Sequence, residues 1–165
     1  MAPTRVALLL DSVSTPANVG SILRTAAAMR VDDVWFCGQT PGLGHPGIAK
    51  TALGSERFLK IHTVEQPVDA VAQVSNAGYR LVAVELAQDA TPIHAAELGG
   101  AVCLAVGHED RGLSATVLEA AELCVFIAQL GKIGSLNVAT AASIALYELR
   151  RQGWPSDPQG IDLDP

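Results

Sequence analysis

Short, almost continuously apolar runs alternate along this chain with longer segments of helical periodicity, and this alternation most constrains the fold. The runs predicted to be strands are Val6–Leu10, Val34–Cys37, Phe58–His62, Arg80–Leu86, Val102–Val106 and Cys124–Ile127. Strands that are apolar on both faces are typical of parallel sheets covered by helices. The helices predicted between them are Pro16–Met29, Val68–Asn76, Ser114–Ala120 and Leu136–Arg151. The sequence therefore predicts an α/β fold with a mostly parallel sheet flanked by helices.

The composition fits one domain with an apolar core. Of the 165 residues, 49% are hydrophobic and 17% are charged, a balance that argues against disorder. We expect one domain over residues 1–152 and a flexible tail, rich in Pro and Asp, over residues 153–165. The apolar run near the start is too short for a signal-peptide core, and no stretch is long and apolar enough to span a membrane. We therefore expect a cytoplasmic protein.

The three cysteines are odd in number and widely spaced. Cys37, Cys103 and Cys124 each stand in an apolar run, and no CxxC or Cys/His pairing accompanies them. This pattern argues against both a disulfide framework and a zinc site. We expect reduced, buried thiols and no bound metal.

The segment from Gly42 to Gly47 matches the pattern G-x-G-x-x-G of dinucleotide-binding loops. Such a site needs the pattern directly after a strand, with the glycine amides free to meet a pyrophosphate. Here several residues separate the pattern from the preceding strand, and Pro46 removes one amide donor. We interpret the segment as an irregular loop, with a nucleotide-dependent oxidoreductase as the minor alternative.

A charged loop flanked by glycines follows the predicted strand Val102–Val106. From Gly107 to Ser114 it reads G-H-E-D-R-G-L-S and leads into a helix. Ligands of parallel sheets lie at the carboxyl ends of strands, so a ligand loop is expected here, with a solvated turn as an equal alternative. An acid/base pair of Glu109 and Asp110 is disfavoured because adjacent side chains point apart.

Polar side chains also stand at the starts of the first and last predicted helices. Ser135 and Asn137 open the last helix, where capping is the ordinary role, and Ser135 is the predicted cap. Asn18 and Arg24 belong to the first helix, among apolar and small residues. An arginine in that setting favours a phosphate or carboxylate partner, the alternative being a surface ion pair.

Three of these segments together resemble the SpoU/TrmH family of the SPOUT methyltransferases. The first reads N-V-G-S-I-L-R-T-A from Asn18 to Ala26, and the second is the loop from Gly107 to Ser114. The third runs from Ile127 to Glu148 and is centred on S-L-N-V. Their order and spacing carry the resemblance, which covers nearly the whole predicted domain.

The resemblance implies methylation of a ribose 2′-hydroxyl in RNA, with S-adenosylmethionine as the donor. It also implies a homodimer and a trefoil knot near the carboxyl end, a topology that chains generally avoid. The implied cofactor-binding residues are Leu86, Gly107, Ile127, Leu130, Ser135 and Leu136. The implied catalytic residues are Arg24, Asn18, Glu109, Ser135 and Asn137.

A sulfonium donor carries an activated methyl group, so the protein is expected chiefly to align the 2′-hydroxyl and ease its deprotonation. Proposals for the family give the arginine that matches Arg24 a role at this hydroxyl, even as general base. A guanidinium is almost never deprotonated in proteins. We therefore expect Arg24 to clamp the neighbouring phosphate and favour the developing alkoxide. Glu109, Ser135 and Asn137 are then expected to orient Arg24, the ribose and the knot loops.

A few positions depart from the family's usual pattern. Arg30 stands where the family tends to have Gly after the first helix. Ala128 and Gln129 replace a common Pro-Met pair, and Ala139 replaces a frequent Ser. None of them removes an implied catalytic group. We expect them to alter the local shape of the cofactor loop.

The expected substrate is tRNA rather than rRNA, because the chain resembles the small members of the family that modify the tRNA anticodon loop. The cations expected near the RNA are Arg5, Arg24, Arg30, Arg111 and Lys132. Binding through them weakens as salt rises. The net charge of −6 is unusual for a nucleic-acid binder, and a knotted RNA-binding protein without catalysis is therefore the main alternative.

Overall fold

The structure is a computed structural model that describes residues 5–154. Its strands form one sheet in the order β3-β2-β1-β6-β4-β7-β5. They are β1 Val6–Asp11, β2 Asp33–Cys37, β3 Lys60–Thr63, β4 Arg80–Val84, β5 Thr91–Pro92, β6 Val102–Gly107 and β7 Leu123–Phe126. All pairings within this sheet are parallel. The predicted α/β class is confirmed.

Helices connect the strands. They are α1 Pro16–Ala28, α2 Pro46–Ala52, α3 Pro67–Asn76, α4 Ala115–Ala120 and α5 Val138–Gly153, with 3-10 turns at Ser55–Phe58 and Ile93–Ala95. The first three α-helices begin with proline, whose fixed φ suits the first helical turn. Within residues 5–154, none of these helices has the length and apolar character needed to cross a membrane.

Two apolar layers cover the two faces of the sheet. Leu8 and Leu10 of β1 face one side, where the core is completed by α1, α2 and α5. Ala7 and Leu9 face the other side, where α3 and α4 pack. Successive side chains of a strand point to opposite faces. All six residues of β1 are therefore buried, and the apolar run that predicted a doubly covered strand is explained.

The Gly42–Gly47 segment was predicted as an irregular loop, and the structure corrects its second half. α2 begins at Pro46, and the Nδ1 atom of His45 accepts a hydrogen bond of 3.0 Å from the backbone N–H of Gly47. The last glycine amide of the pattern is therefore used to cap a short helix. This arrangement gives no support to a dinucleotide site.

Other differences lie at element ends. β3 begins at Lys60 rather than Phe58, because a 3-10 turn occupies Ser55–Phe58, and β4 ends at Val84, which leaves Leu86 in the following loop. α5 runs to Gly153, so the predicted tail does not begin there. The remaining part of that tail, residues 155–165, lies outside the described residues.

The trefoil knot concerns how the segment before α5 threads through the chain, and it stays a prediction. α5 packs against α1 and also reaches β4 and β6 at the centre of the sheet. Its buried residues are Ala139, Ala142, Ala145, Leu146 and Leu149. Small side chains along this face let the helix lie close to the sheet.

Arg30, which departs from the family's Gly, has a left-handed backbone with φ of 50°. This conformation costs a residue with a side chain about 1 kcal/mol and costs Gly almost nothing. The chain is held in it because Arg150 donates hydrogen bonds to the carbonyls of Met29 and Arg30. The left-handed backbone is a physical reason for the Gly that the family resemblance leads us to expect at this position.

Arg30→Gly is expected to raise the free energy of unfolding by up to about 1 kcal/mol, since it removes the left-handed penalty. Urea denaturation monitored by circular dichroism measures the change. Arg30→Ala is the matched control, because it removes the same side chain and keeps the penalty. Equal stability of the two variants would contradict the explanation.

Candidate functional site

A pocket of about 560 Å³ lies at the carboxyl edge of the sheet, where β4, β6 and β7 end. Its walls come from three loops, within residues 84–86, 106–112 and 126–136, and from the start of α5. Parallel sheets bind ligands at this edge, and the volume is in the range of small-molecule sites. The position and size of the pocket suit a small-molecule ligand.

Most of the predicted cofactor-binding residues lie together in this pocket. Those that line it are Leu86, Gly107, Ile127, Ser135 and Leu136. Leu130 does not line it, and its side chain is fully exposed. Leu86 and Ile133 line the pocket and are 73% and 74% exposed. Apolar side chains left open around a pocket offer surface that a flat ring can cover.

Gly107 stands where the backbone of its own loop returns. A Cβ on Gly107 would lie 2.3 Å from the carbonyl carbon of Gly112 and 2.4 Å from the nitrogen of Leu113. Just above it, His108 and Gly112 exchange two backbone hydrogen bonds of 3.0 and 2.9 Å. The loop can close on itself only because residue 107 has no side chain.

Two carboxylates that the sequence analysis missed hold the far end of this loop. Asp11, which is buried at the end of β1, accepts a hydrogen bond of 2.7 Å from the Ser114 N–H. Glu85, which follows β4 and lines the pocket, accepts one of 2.8 Å from the Leu113 N–H. Their signal in the sequence is an acidic residue placed directly at the carboxyl end of an apolar strand.

Glu109 joins the charged loop to the start of α1. Its Oε2 accepts hydrogen bonds from the Ser14 N–H at 3.1 Å and the Ser14 hydroxyl at 3.0 Å. Its Oε1 accepts from the Thr15 N–H at 3.0 Å and the Asn18 side-chain amide at 3.1 Å. Burial by itself raises the pKa of this carboxyl. Hydrogen bonds from Thr15, its own backbone, Asn18 and Ser14 outweigh burial and lower the pKa to about 2.

Asn18 carries the connection onward to α5. Its Oδ1 accepts a hydrogen bond of 3.0 Å from the Asn137 side-chain amide. Asn137 Oδ1 in turn accepts from the Ala139 and Thr140 N–H groups at 2.9 and 3.2 Å. Glu109, Asn18 and Asn137 thus form one chain of hydrogen bonds, here called the Glu109 network. It joins all three segments of the family resemblance.

Asn137, and not Ser135, caps the last helix. α5 begins at Val138, so Ser135 lies too early to reach the first free amides. The prediction of Ser135 as the cap is therefore wrong. Ser135 lines the pocket instead.

Arg24 lies apart from the pocket within one chain. It is exposed on α1 and lines a separate recess, between α1 and α2, that also contains Lys50. Its side chain has no hydrogen bond or ion pair with any other residue in 5–154, whereas both oxygens of Glu109 are engaged elsewhere. Within one chain Glu109 contacts Asn18 and not Arg24, so the expectation that Glu109 orients Arg24 stays a prediction.

Glu109→Gln is expected to lower the free energy of unfolding by about 1–3 kcal/mol at pH 7. The amide nitrogen of Gln would face N–H or O–H donors that now meet a carboxylate oxygen. Urea denaturation measures the change, and Asp110→Asn, on the exposed neighbouring carboxylate, is the matched control. An equal loss in both variants would contradict the role of the Glu109 network.

The same carboxyl gives this prediction its pH dependence. A folded-state pKa of about 2, below the ordinary 4.5, stabilises the folded state fully above pH 4.5, and the contribution is lost as pH falls toward 2. The difference in stability between the wild type and Glu109→Gln should therefore shrink over that window. Glu148, whose pKa is also lowered to about 2 by its bond to Arg151, is present in both proteins and cancels in this difference.

The cysteines and other potential ligands form no metal centre in the described range 5–154. Cys37 and Cys103 are buried free thiols, and Cys124 is half-buried. Burial, and then the charge of Asp11 and a hydrogen bond to it, raise the pKa of Cys37 to about 12. The predicted burial holds for Cys37 and Cys103, and Cys124 is less buried than expected.

Comparison with known proteins gives consistent matches over this region. The profile of the SpoU rRNA Methylase family matches residues 5–147. The tRNA (guanosine(18)-2'-O)-methyltransferase of Escherichia coli K12 is 31% identical over 146 residues, which is 87% of this chain and 62% of that protein. The AdoMet-bound rRNA methyltransferase of Sinorhizobium meliloti has a TM-score of 0.85 at 27% identity, over 93% of this chain and 58% of that one.

A further solved structure matches almost end to end. It is described as giving structural insights into the 2-OH methylation of C/U34 on tRNA, and it has a TM-score of 0.79 at 26% identity. The match covers 92% of this chain and 97% of that one. By contrast, the chain spans only 57% and 62% of the first two curated relatives it matches. The profile match covers most of the chain and contains the pocket, the Glu109 network and Arg24, so this chain belongs to the SpoU rRNA methylase family.

Proposed function

We propose that this protein transfers a methyl group from S-adenosylmethionine to a ribose 2′-hydroxyl of RNA. The observation that carries the proposal is the pocket at the carboxyl edge of the sheet, with the Glu109 network beside it. Family membership supports it, as do a relative that methylates guanosine 18 of tRNA at the 2′-oxygen and an AdoMet-bound relative.

The residues of the pocket fit S-adenosylmethionine as a ligand. Glu85, Glu109 and Asp110 line it, and their carboxylates favour a cation such as a sulfonium. Leu86 and Ile133 offer open apolar surface for an adenine ring. Gly107 and Gly134 let backbone groups approach a ligand closely. When bound, the donor supplies a methyl group that is already activated for transfer.

A homodimer is part of this proposal, because one chain keeps Arg24 away from the pocket. A second copy can bring its own Arg24 to the pocket of the first. α5 offers a surface for such a contact, since Ile144, Tyr147 and Trp154 are 40%, 49% and 45% exposed. Apolar and aromatic side chains of this kind are enriched at stable interfaces. In this arrangement Arg24 clamps an RNA phosphate and favours the developing alkoxide.

For the substrate we propose tRNA. The support is the solved structure concerned with nucleotide 34 of tRNA, which this chain matches over 97% of that structure's length. The rRNA methyltransferase from Sinorhizobium meliloti is longer than the matched region, which covers 58% of it. A nucleotide presented in an unpaired loop, as in tRNA, leaves its 2′-hydroxyl accessible to the pocket.

The test is methyl transfer from S-adenosylmethionine labelled in its methyl group to total tRNA and, separately, to ribosomal RNA. Incorporation into tRNA at one 2′-O-methylated nucleotide, mapped by ribonuclease digestion and mass spectrometry, is the expected result. Incorporation into rRNA alone would overturn the proposal that tRNA is the substrate. If neither RNA is methylated and calorimetry detects no binding of S-adenosylmethionine, the proposed function fails. The alternative, an RNA-binding protein without catalysis, would then be favoured.

A further inference from the structure

We infer that the recess between α1 and α2, together with the turn Ser55–Phe58, is the surface on which this protein holds its RNA. Lys50 and Arg57 bind backbone phosphates there, and Phe58 stacks on an unpaired base. This inference rests on the proposed methylation of RNA and names the residues that hold the strand.

The recess is built by two closely packed helices. Its volume is about 630 Å³, and Arg24 from α1 lines it together with Lys50 and Leu53 from the end of α2. A Cβ on Gly20 would lie 2.0 Å from Thr51 Oγ1 and 2.4 Å from the Ile48 carbonyl oxygen. The absence of a side chain at Gly20 therefore brings Arg24 and Lys50 into one recess.

The cations of this surface lack the partners that most of the protein's other cations have. Elsewhere in residues 5–154, six cationic side chains hydrogen-bond or pair with acceptors: Arg5, Lys60, Arg80, Arg111, Arg150 and Arg151. No hydrogen bond or ion pair in that same range engages the side chains of Arg24, Arg30, Lys50, Arg57 or Lys132. Four of these five belong to the stretch from α1 to the Ser55–Phe58 turn, and Lys132 lies in the loop before α5.

The carboxylates of this stretch form no ion pair with its four cations within residues 5–154. Its acidic residues are Asp32, Asp33 and Glu56. Asp32 accepts a hydrogen bond from the Val6 N–H, and Asp33 is buried against His62 and Tyr79. A protein with a net charge of −6 thus carries a local group of unpaired cations. Such a group attracts a polyanion, and phosphates of RNA are the polyanion that the proposed reaction supplies.

An exposed aromatic ring beside these cations points to RNA bases. Phe58 is 69% exposed, and the Arg57 guanidinium carbon lies 4.8 Å from its ring centroid. Leu53, which is 64% exposed, adds apolar surface next to the recess. Proteins hold unpaired nucleotides by stacking bases on aromatic rings and guanidinium planes next to phosphate-binding cations. This surface has both an exposed aromatic ring and unpaired cations.

The test compares steady-state methylation and direct RNA binding in two variants, Phe58→Ala and the double variant Lys50→Gln/Arg57→Gln. Each is expected to raise KM for RNA at least about fivefold while kcat at saturating RNA stays within about twofold. The double variant should also reduce the slope of log affinity against log salt by about 1.5, since two phosphate contacts are lost. Calorimetric affinity for S-adenosylmethionine should not change.

Conservative variants separate this role from a structural one. Phe58→Trp and Lys50→Arg keep the stacking ring and the charge and should keep the wild-type KM. Val68→Ala removes an exposed apolar side chain from α3, on the other face of the sheet, and should change neither KM nor the salt slope. An unchanged KM and salt slope in both test variants would overturn the inference.

Direct binding keeps this inference distinct from the proposed function. Fluorescence anisotropy with a labelled anticodon stem-loop RNA needs no methyl transfer. If the wild type binds that RNA and methylates none, the proposed function fails, while weaker binding by the two variants still supports the surface. If the wild type methylates RNA and the variants bind as tightly as it does, the surface fails and the function stands.

Discussion

Replacing Arg24 by Ala is expected to lower kcat for methyl transfer to RNA at least about a hundredfold, the usual loss when one electrostatic contact to a transition state is removed. S-adenosylmethionine affinity should stay within about twofold, because Arg24 does not line the pocket of its own chain. Single-turnover assays with labelled donor and calorimetry measure the two quantities. Near-normal turnover in Arg24→Ala would contradict the assignment.

Two further variants locate the effect of Arg24. Arg57→Gln removes another cation of the proposed RNA surface and is expected to raise KM for RNA while leaving kcat close to that of the wild type. Arg24→Lys keeps the charge but loses the planar, two-pronged contact to a phosphate, so an intermediate kcat is expected. If residue 24 acted as a base, the lysine variant would gain activity as pH rises toward the ordinary lysine pKa of about 10.4. We expect no such gain.

The fold could be predicted because its strands are apolar on both faces. β1 and β6 lie at the centre of the sheet, and every residue in each is buried, so their sequences contain no polar alternation that suggests another class. β5 was missed because it consists of two residues, one of them a proline, at the edge of the sheet. α2 was missed because its glycine- and proline-rich start is also typical of loops.

The candidate site was predicted in part, and the errors have a common cause. The motif residues Asn18, Glu109 and Asn137 are brought together in one network. Asp11 and Glu85 were missed because they hold backbone amides 103 and 28 residues away, which no local pattern encodes. The sequence motif likewise groups residues that one chain separates, as with Arg24 and the pocket. Spacing along a chain does not state which copy of the chain supplies a residue.

The loop from Gly107 to Ser114 depends most on a single missing side chain. Gly107→Ala is expected to lower the free energy of unfolding by about 1–3 kcal/mol, the range for inserting an atom into a well-packed interior. The three nearest atoms that a Cβ would meet, at 2.3, 2.4 and 2.5 Å, all belong to the backbone and cannot turn away. The loop must therefore shift as a whole.

This shift should reach the ligand pocket and the Glu109 network together. Moving residues 108–113 displaces Glu109 from Ser14 and the Leu113 N–H from Glu85. We therefore expect Gly107→Ala to weaken S-adenosylmethionine binding at least about tenfold by calorimetry, beyond the loss of stability measured in urea. Gly131→Ala is the matched control, since a Cβ there meets nothing within 4 Å and residue 131 does not line the pocket. Equal binding by the two variants would mean that the closure of the loop on Gly107 does not shape the donor site.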